Sequence, residues 1–234
     1  MLNFLLSLFG LNKPKMDPTL GDANLRLLAP ALKGLNVKAA MNLLDATREG
    51  KWEERHIYCN FIVENLKSLP TLPLLDECCK NEPNSVALRL IRGSAHIDAA
   101  WVARGNGDSS TVTADGYSLF QSHLMKAEED FRQVISRDPL DPCPWVYLIS
   151  TGLGLGKDHE ELLTRFEQAV KLAPTHWYAY ARMLHCLTAK WGGSHEEMFA
   201  FAKKHGQGHL AGLVALAHVE RWQYHFFLDD GDAK

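Results

Sequence analysis

The 234-residue chain has no apolar run long enough to cross a bilayer. Its opening "MLNFLLSLFG" spans ten residues, about half of what a spanning helix needs. The first Lys, Lys13, follows that run and no small-residue cleavage site closes it, so a secretory signal is not expected. Lys and Arg form no run that could follow a phosphate backbone, and a formal charge of -3 supplies no positive field. Both features argue against a nucleic-acid partner. The five cysteines, Cys59, Cys78, Cys79, Cys143 and Cys186, lack the paired spacing of a zinc site. They are expected as buried thiols of a reducing cytoplasm, with no metal and no cofactor implied. Alternating β-branched segments are nearly missing as well, which leaves little room for a sheet.

What remains is helical periodicity. It predicts helices at about 23–33, 37–49, 52–67, 71–81, 85–104, 117–137, 144–155, 158–172, 176–190, 195–205 and 209–228, each bounded by Gly, Pro or a cap. Residues 1–21 are expected as an N-terminal apolar helix and linker, with weak membrane-surface association through 1–11, and 22–234 as one helical-repeat domain. The polar stretch "RGNGDSSTVTADG", Arg104 to Gly116, is expected as a loop, with Asp115 or Gly116 opening the next helix.

"KAEEDFRQVISRDP" and "LLTRFEQAVKLAP" each carry an aromatic residue eight positions before a proline. Phe131 to Phe166 and Pro139 to Pro174 are both 35 residues, close to the tetratricopeptide period of about 34. Proline cannot continue a helix yet suits a first turn, so it ends one helix and opens the next. The pattern predicts an all-α fold, an irregular tetratricopeptide-like α-solenoid with repeat-like units at about 84–138, 139–173 and 174–205.

In "KWGGSHEEMFAFAKKHG", Gly192 and Gly193 permit a helix to end, and Ser194 followed by Glu197 has the spacing of a capping box. A helix start accounts for these residues, with Trp191 expected as a packing plug. This stretch, together with "PNSVALRLIRGSAHIDAAWVARG" and "RDPLDPCPW", resembles the bacterial family called domain of unknown function 4034, which is related to the tetratricopeptide class. The likeness spans about Leu43 to His225. It implies a helical-repeat fold and a bacterial source, and it carries over no catalytic residue.

No catalytic constellation is expected. His195-Glu196 and His159-Glu160 begin like a zinc-protease helix, but Phe199 and Leu163 stand where the second His belongs. "GLGLG", Gly152 to Gly156, lacks the Lys-Ser of a phosphate loop and is expected at a close helix crossing. Glu128, Glu129 and Asp130 are expected at helix starts or on solvated faces.

The first helix of each hairpin is rich in aromatic residues. The repeat register turns Tyr147, Thr151, His176, Tyr180 and Met183 toward a concave groove and Val146, Tyr178 and Ala181 inward. Aromatic and Met side chains with a polar handle suit protein contacts. The expected function is therefore a noncatalytic module of the bacterial cytoplasm that binds another protein or a peptide. Its narrower form is an immunity protein that neutralises a toxin. The alternative is a hydrolase or transferase whose His and acidic groups meet only in three dimensions, with His159, His195, His218 and His225 the first suspects.

Overall fold

The structure, a computed structural model, describes residues 17–66, 71–105 and 111–226. Among these residues every regular element is helical. The helices are α1 (Ala23–Lys33), α2 (Val37–Asp45), α3 (Trp52–Leu66), α4 (Thr71–Asn81), α5 (Val86–Arg104), α6 (Ala114–Arg137), α7 (Cys143–Gly154), α8 (His159–Leu172), α9 (Trp177–Cys186), α10 (His195–His205) and α11 (Gly212–Tyr224). Single 3-10 turns lie at Ala189–Trp191 and Gly208–Leu210. The helix expected at 1–11 lies outside the described residues, as do 12–16 of the linker and 106–110 of the glycine-rich loop.

Helix ends follow local chemistry. The Ser194 hydroxyl accepts from the Glu197 amide at 3.1 Å and donates to the Glu197 carboxylate at 3.0 Å, so α10 opens on a Ser194 N-cap, with Glu197 bonded to the hydroxyl rather than to the Ser194 amide of a full capping box. Gly192 holds φ +87°, and a Cβ at Gly193 would run into the Leu187 carbonyl. The signature stretch is a helix stop followed by a helix start. Helix α6 begins earlier than expected because Thr113 caps it, accepting from the Gly116 amide at 3.1 Å. Helix α2 ends at Asp45 rather than near 49, where Glu49 and Gly50 both take positive φ.

Helices α1, α3, α5, α7, α9 and α11 each touch the next odd-numbered helix, giving one continuous row. The even-numbered helices pack against their neighbours in the chain. The row is not simply open, since α3 touches α7 and α9 as well as α5. Helix α7 is the wall between two apolar cores: Tyr147 and Leu148 belong to the core of α1–α7, and Val146 and Ile149 to the core of α7–α11. Its "PWVYLIST" is therefore apolar around its circumference, as a helix buried on both sides must be. Helix α3 is buried over most of its surface, with Glu54 and Glu64 exposed, and its buried set includes Arg55 and His56. The crossing of α7 over α8 is close at Gly152, where a Cβ would stand 2.8 Å from both Leu162 and Arg165.

Of the acids expected at helix starts or on solvated faces, Asp130 is buried and Glu128 is largely covered. Asp130 accepts from Arg92 at 2.7 Å and Arg89 at 2.9 Å, joining α5 to α6, while Arg92 also reaches Asp76 of α4. Glu128 accepts from Arg165 of α8 at 2.5 Å and from the Thr151 hydroxyl of α7 at 3.0 Å. Helix α6 lies between α5 and α7, so these carboxylates meet arginines rather than water. Burial raises the Glu128 carboxyl, but Arg165 outweighs it and the net shift is downward.

Two predictions follow from these contacts. Ser194→Ala should cost about 0.5 to 2 kcal/mol in chemical denaturation, as loss of an N-cap does. The second concerns the buried His96, whose Nδ1 lies 2.9 Å from Nδ1 of His123. Burial first, then the His123 charge, hold His96 down at about 4 from its ordinary 6.5, while Asp130 pulls the other way. An unfolded chain would protonate this ring near pH 6.5 and the folded chain would not. Stability present above pH 6.5 is therefore lost as pH falls from 6.5 toward 4. Urea midpoints measured from pH 7 to 5 should fall, and His96→Gln should flatten that slope by most of one proton.

Candidate functional site

The five residues expected to face a groove are all buried: Tyr147, Thr151, His176, Tyr180 and Met183. The repeat register puts these positions on an open concave side, but α3 packs over the starts of α7 and α9. It takes up Tyr147, whose hydroxyl donates to Asn60 Oδ1 at 2.9 Å, and His176, whose Nδ1 lies 3.1 Å from Glu53 Oε1. Thr151 turns to Glu128 on α6. Tyr180 packs on Phe166 and Phe201 and donates to the Pro174 carbonyl at 2.8 Å, and Met183 joins the same core. Of the three residues expected inward, Val146 is in the core, while Tyr178 and Ala181 are only half-buried.

One residue round the helix from several of these positions, the odd-numbered row does open. A cleft of ≈ 360 Å³ is lined from α3 by Asn60, from α5 by Asp98 and Trp101, from α7 by Tyr147 and Ser150, and from α9 by Arg182 and His185. Lys190 and Trp191 close one end. Trp191 is more than a packing plug. Its indole donates to His185 Nε2 at 2.9 Å, which places the single imidazole proton on Nδ1, 3.0 Å from Glu220. The hydrogen bond from His185, the largest influence, draws the Glu220 carboxyl down against the effect of burial. The Trp101 and Trp191 rings meet edge to face at 6.0 Å, and the Lys190 ammonium stands 5.5 Å over Trp191. Arg182 is exposed and makes no ion pair among the described residues. The Ser150 hydroxyl, though buried, has no hydrogen-bond partner there. The cleft therefore offers two aromatic faces, two cations and unused polar capacity.

Beneath its floor lies a polar centre. Arg55 is fully buried; it donates from Nε to Asp141 at 2.7 Å and from Nη1 to the Leu44 carbonyl at 2.5 Å. Asp141 in turn accepts from the Cys143 amide at 2.8 Å, fixing the first turn of α7. His56 stacks on Tyr178 at 4.1 Å and on Tyr147 at 4.6 Å, and Tyr147 stacks on Phe131 at 5.0 Å. A four-ring column thus runs from α9 through α3 and α7 to α6. Burial, then the charges of His176 and Arg182, keep His56 well below its ordinary range, so the ring is neutral at pH 7.

Among the described residues, the group with donor atoms close enough to share a metal is His56, Cys143 and His176, and it includes none of the four suspect histidines. Those four do not come together as one set. His195 and His225 approach at 5.3 Å, His218 lies on Phe199, and His159 lines a separate depression with Tyr117 and Lys157. No motif spacing marks the cluster that does form, because its members lie 87 and 33 residues apart, on α3, on α7 and at the residue that precedes α9. No family model matches the chain, and neither a curated protein nor a solved structure matches it.

Because Arg55 and Asp141 are both wholly buried, removing one leaves the other charge uncompensated. Arg55→Ala should cost about 3 to 5 kcal/mol in urea unfolding. Arg55→Met with Asp141→Leu should recover much of that loss, since an apolar pair leaves no charge behind.

Proposed function

We propose that the protein is a noncatalytic binding module and that the cleft on its odd-numbered helices receives a short segment of another protein. The observation that carries this reading is the pairing of Trp101 and Trp191 with Arg182 and Lys190 around a cavity too small for a folded partner. Aromatic faces take an apolar side chain and the cations an adjacent acidic one, so the favoured segment is acidic beside apolar. The hairpins are read as tetratricopeptide-like units of an irregular solenoid, supported by the 35-residue spacing of Pro139 and Pro174, each leading into a helix of the odd-numbered row. Membership of the domain-of-unknown-function 4034 family, with a bacterial cytoplasmic setting, belongs to the same proposal. Its narrower form is an immunity protein that occludes a toxin, and a toxin gene in the adjoining reading frame is the test of that form. The enzyme alternative has less support, because the four histidines it relies on do not form one site.

The binding proposal is tested on the cleft itself. A peptide array presented to the purified protein should select acidic-apolar segments. Trp101→Ala and Arg182→Glu should each weaken the selected peptide by about 1 to 4 kcal/mol in calorimetry, as central interface side chains do. The exposed Arg182→Glu should leave the melting temperature nearly unchanged, while Trp101→Ala, which also gives up packing on Phe120, should lower it. Peptides that bind both variants as well as wild type would move the site away from the cleft.

A further inference from the structure

We propose that His56, Cys143 and His176 form a buried zinc-binding site that ties α3 to the first turns of α7 and α9. Their donor atoms all lie within 4.8 Å of one another, with Cys143 Sγ 4.0 Å from His176 Nε2. All three residues are buried, and neither nitrogen of His56 has a hydrogen-bond partner. An imidazole buried with both nitrogens unsatisfied is costly, so the position calls for an occupant.

The surroundings fit a metal. Glu53 Oε1, which accepts from the Trp177 amide, also lies 3.1 Å from His176 Nδ1, though the contact is not aligned as a hydrogen bond. It places a carboxylate behind a ligating imidazole and leaves Nε2 for the ion. The Cys143 main chain is pinned by Asp141, and its thiol meets the Trp52 carbonyl at 3.6 Å. Two imidazoles and a thiolate suit zinc, whereas magnesium, calcium and manganese prefer oxygen. Zinc–nitrogen bonds of about 2.0 Å and a zinc–sulfur bond of about 2.3 Å require the donors to close by roughly an ångström. As the zinc–sulfur bond forms, the Cys143 proton leaves to solvent. The thiolate and Glu53 then balance the two positive charges of the ion.

This site is independent of what fills the cleft, and either can fail without the other. Reduced, chelator-stripped full-length protein is titrated with Co(II) as spectroscopic probe and then with Zn(II). One equivalent of Co(II) should produce a thiolate-to-cobalt charge-transfer band that Zn(II) removes, and Zn(II) should raise the melting temperature by mass action. Cys143→Ser and His56→Gln should abolish the band, while Cys186→Ser, an equally buried thiol outside the cluster, should keep it. Glu53→Gln retains all three ligands and should weaken binding about 10- to 100-fold. Circular dichroism verifies that each variant is folded. Absence of the band with a melting temperature insensitive to Zn(II) would leave the three donors to a buried water and overturn the site. A band that survives Cys143→Ser in folded protein would overturn it as well.

Discussion

The Arg55–Asp141 pair is the constraint on which the arrangement of this protein depends. One guanidinium, with no exposed surface, meets the end of α2 through Leu44 and the turn before α7 through Asp141, and it does so from the first turns of α3. Two charges taken out of water gain little over well-packed apolar side chains. What the pair does is fix position. A slide of α3 by one turn would strand both charges in the interior, whereas an apolar contact would tolerate it. With α3 so placed, Glu53 reaches His176, His56 enters the ring column and Asn60 meets the Tyr147 hydroxyl.

Around that point the two cores are mechanically joined. Helix α7 contributes opposite faces to them, and the column of Tyr178, His56, Tyr147 and Phe131 crosses from one to the other. Tyr147 takes part in three environments at once, since its ring is in the column, its body in the first core and its hydroxyl at the cleft floor. The carboxylates on α6 serve the same end on the other side, as Asp130 gathers α5 and Glu128 gathers α7 and α8. Helices that pack mainly on chain neighbours are thereby held to one relative placement by a few directional contacts.

Features set within a few residues were legible in the sequence. The bounds of α4 and α10, the Ser194–Glu197 cap, the positive φ at Gly192 and the close approach at Gly152 all depend on local spacing and were read there. The all-helical class was equally plain. The facing of side chains was not, for two physical reasons. Helix α7 is apolar on every side and α3 mixes polar with apolar residues around its whole circumference, so periodicity does not say which side looks into the cleft. The register was therefore displaced, choosing Thr151 and Met183 where Ser150 and Arg182 line the opening. The second reason is distance along the chain. The groove residues Tyr147 and His176 are covered by partners 87 and 123 residues earlier, Asn60 and Glu53, and no short pattern encodes such a meeting. The acids of α6 misled in the same way, because a carboxylate on a helix looks solvated until its arginine is known.

The long reach of α3 also sets an order on assembly. The extensive α5–α6 contact joins chain neighbours across a short connection and loses little entropy in closing. Helix α3 completes its surroundings only with α7 and α9. Synthesis proceeds from the N-terminus at a finite rate, so on the ribosome Arg55 must wait 86 residues for Asp141, and His56 must wait 122 for Tyr178. Through that interval a nascent chain carries a charged and aromatic face meant for the interior, and it is during translation, more than after release, that this protein is exposed to mispairing with its neighbours.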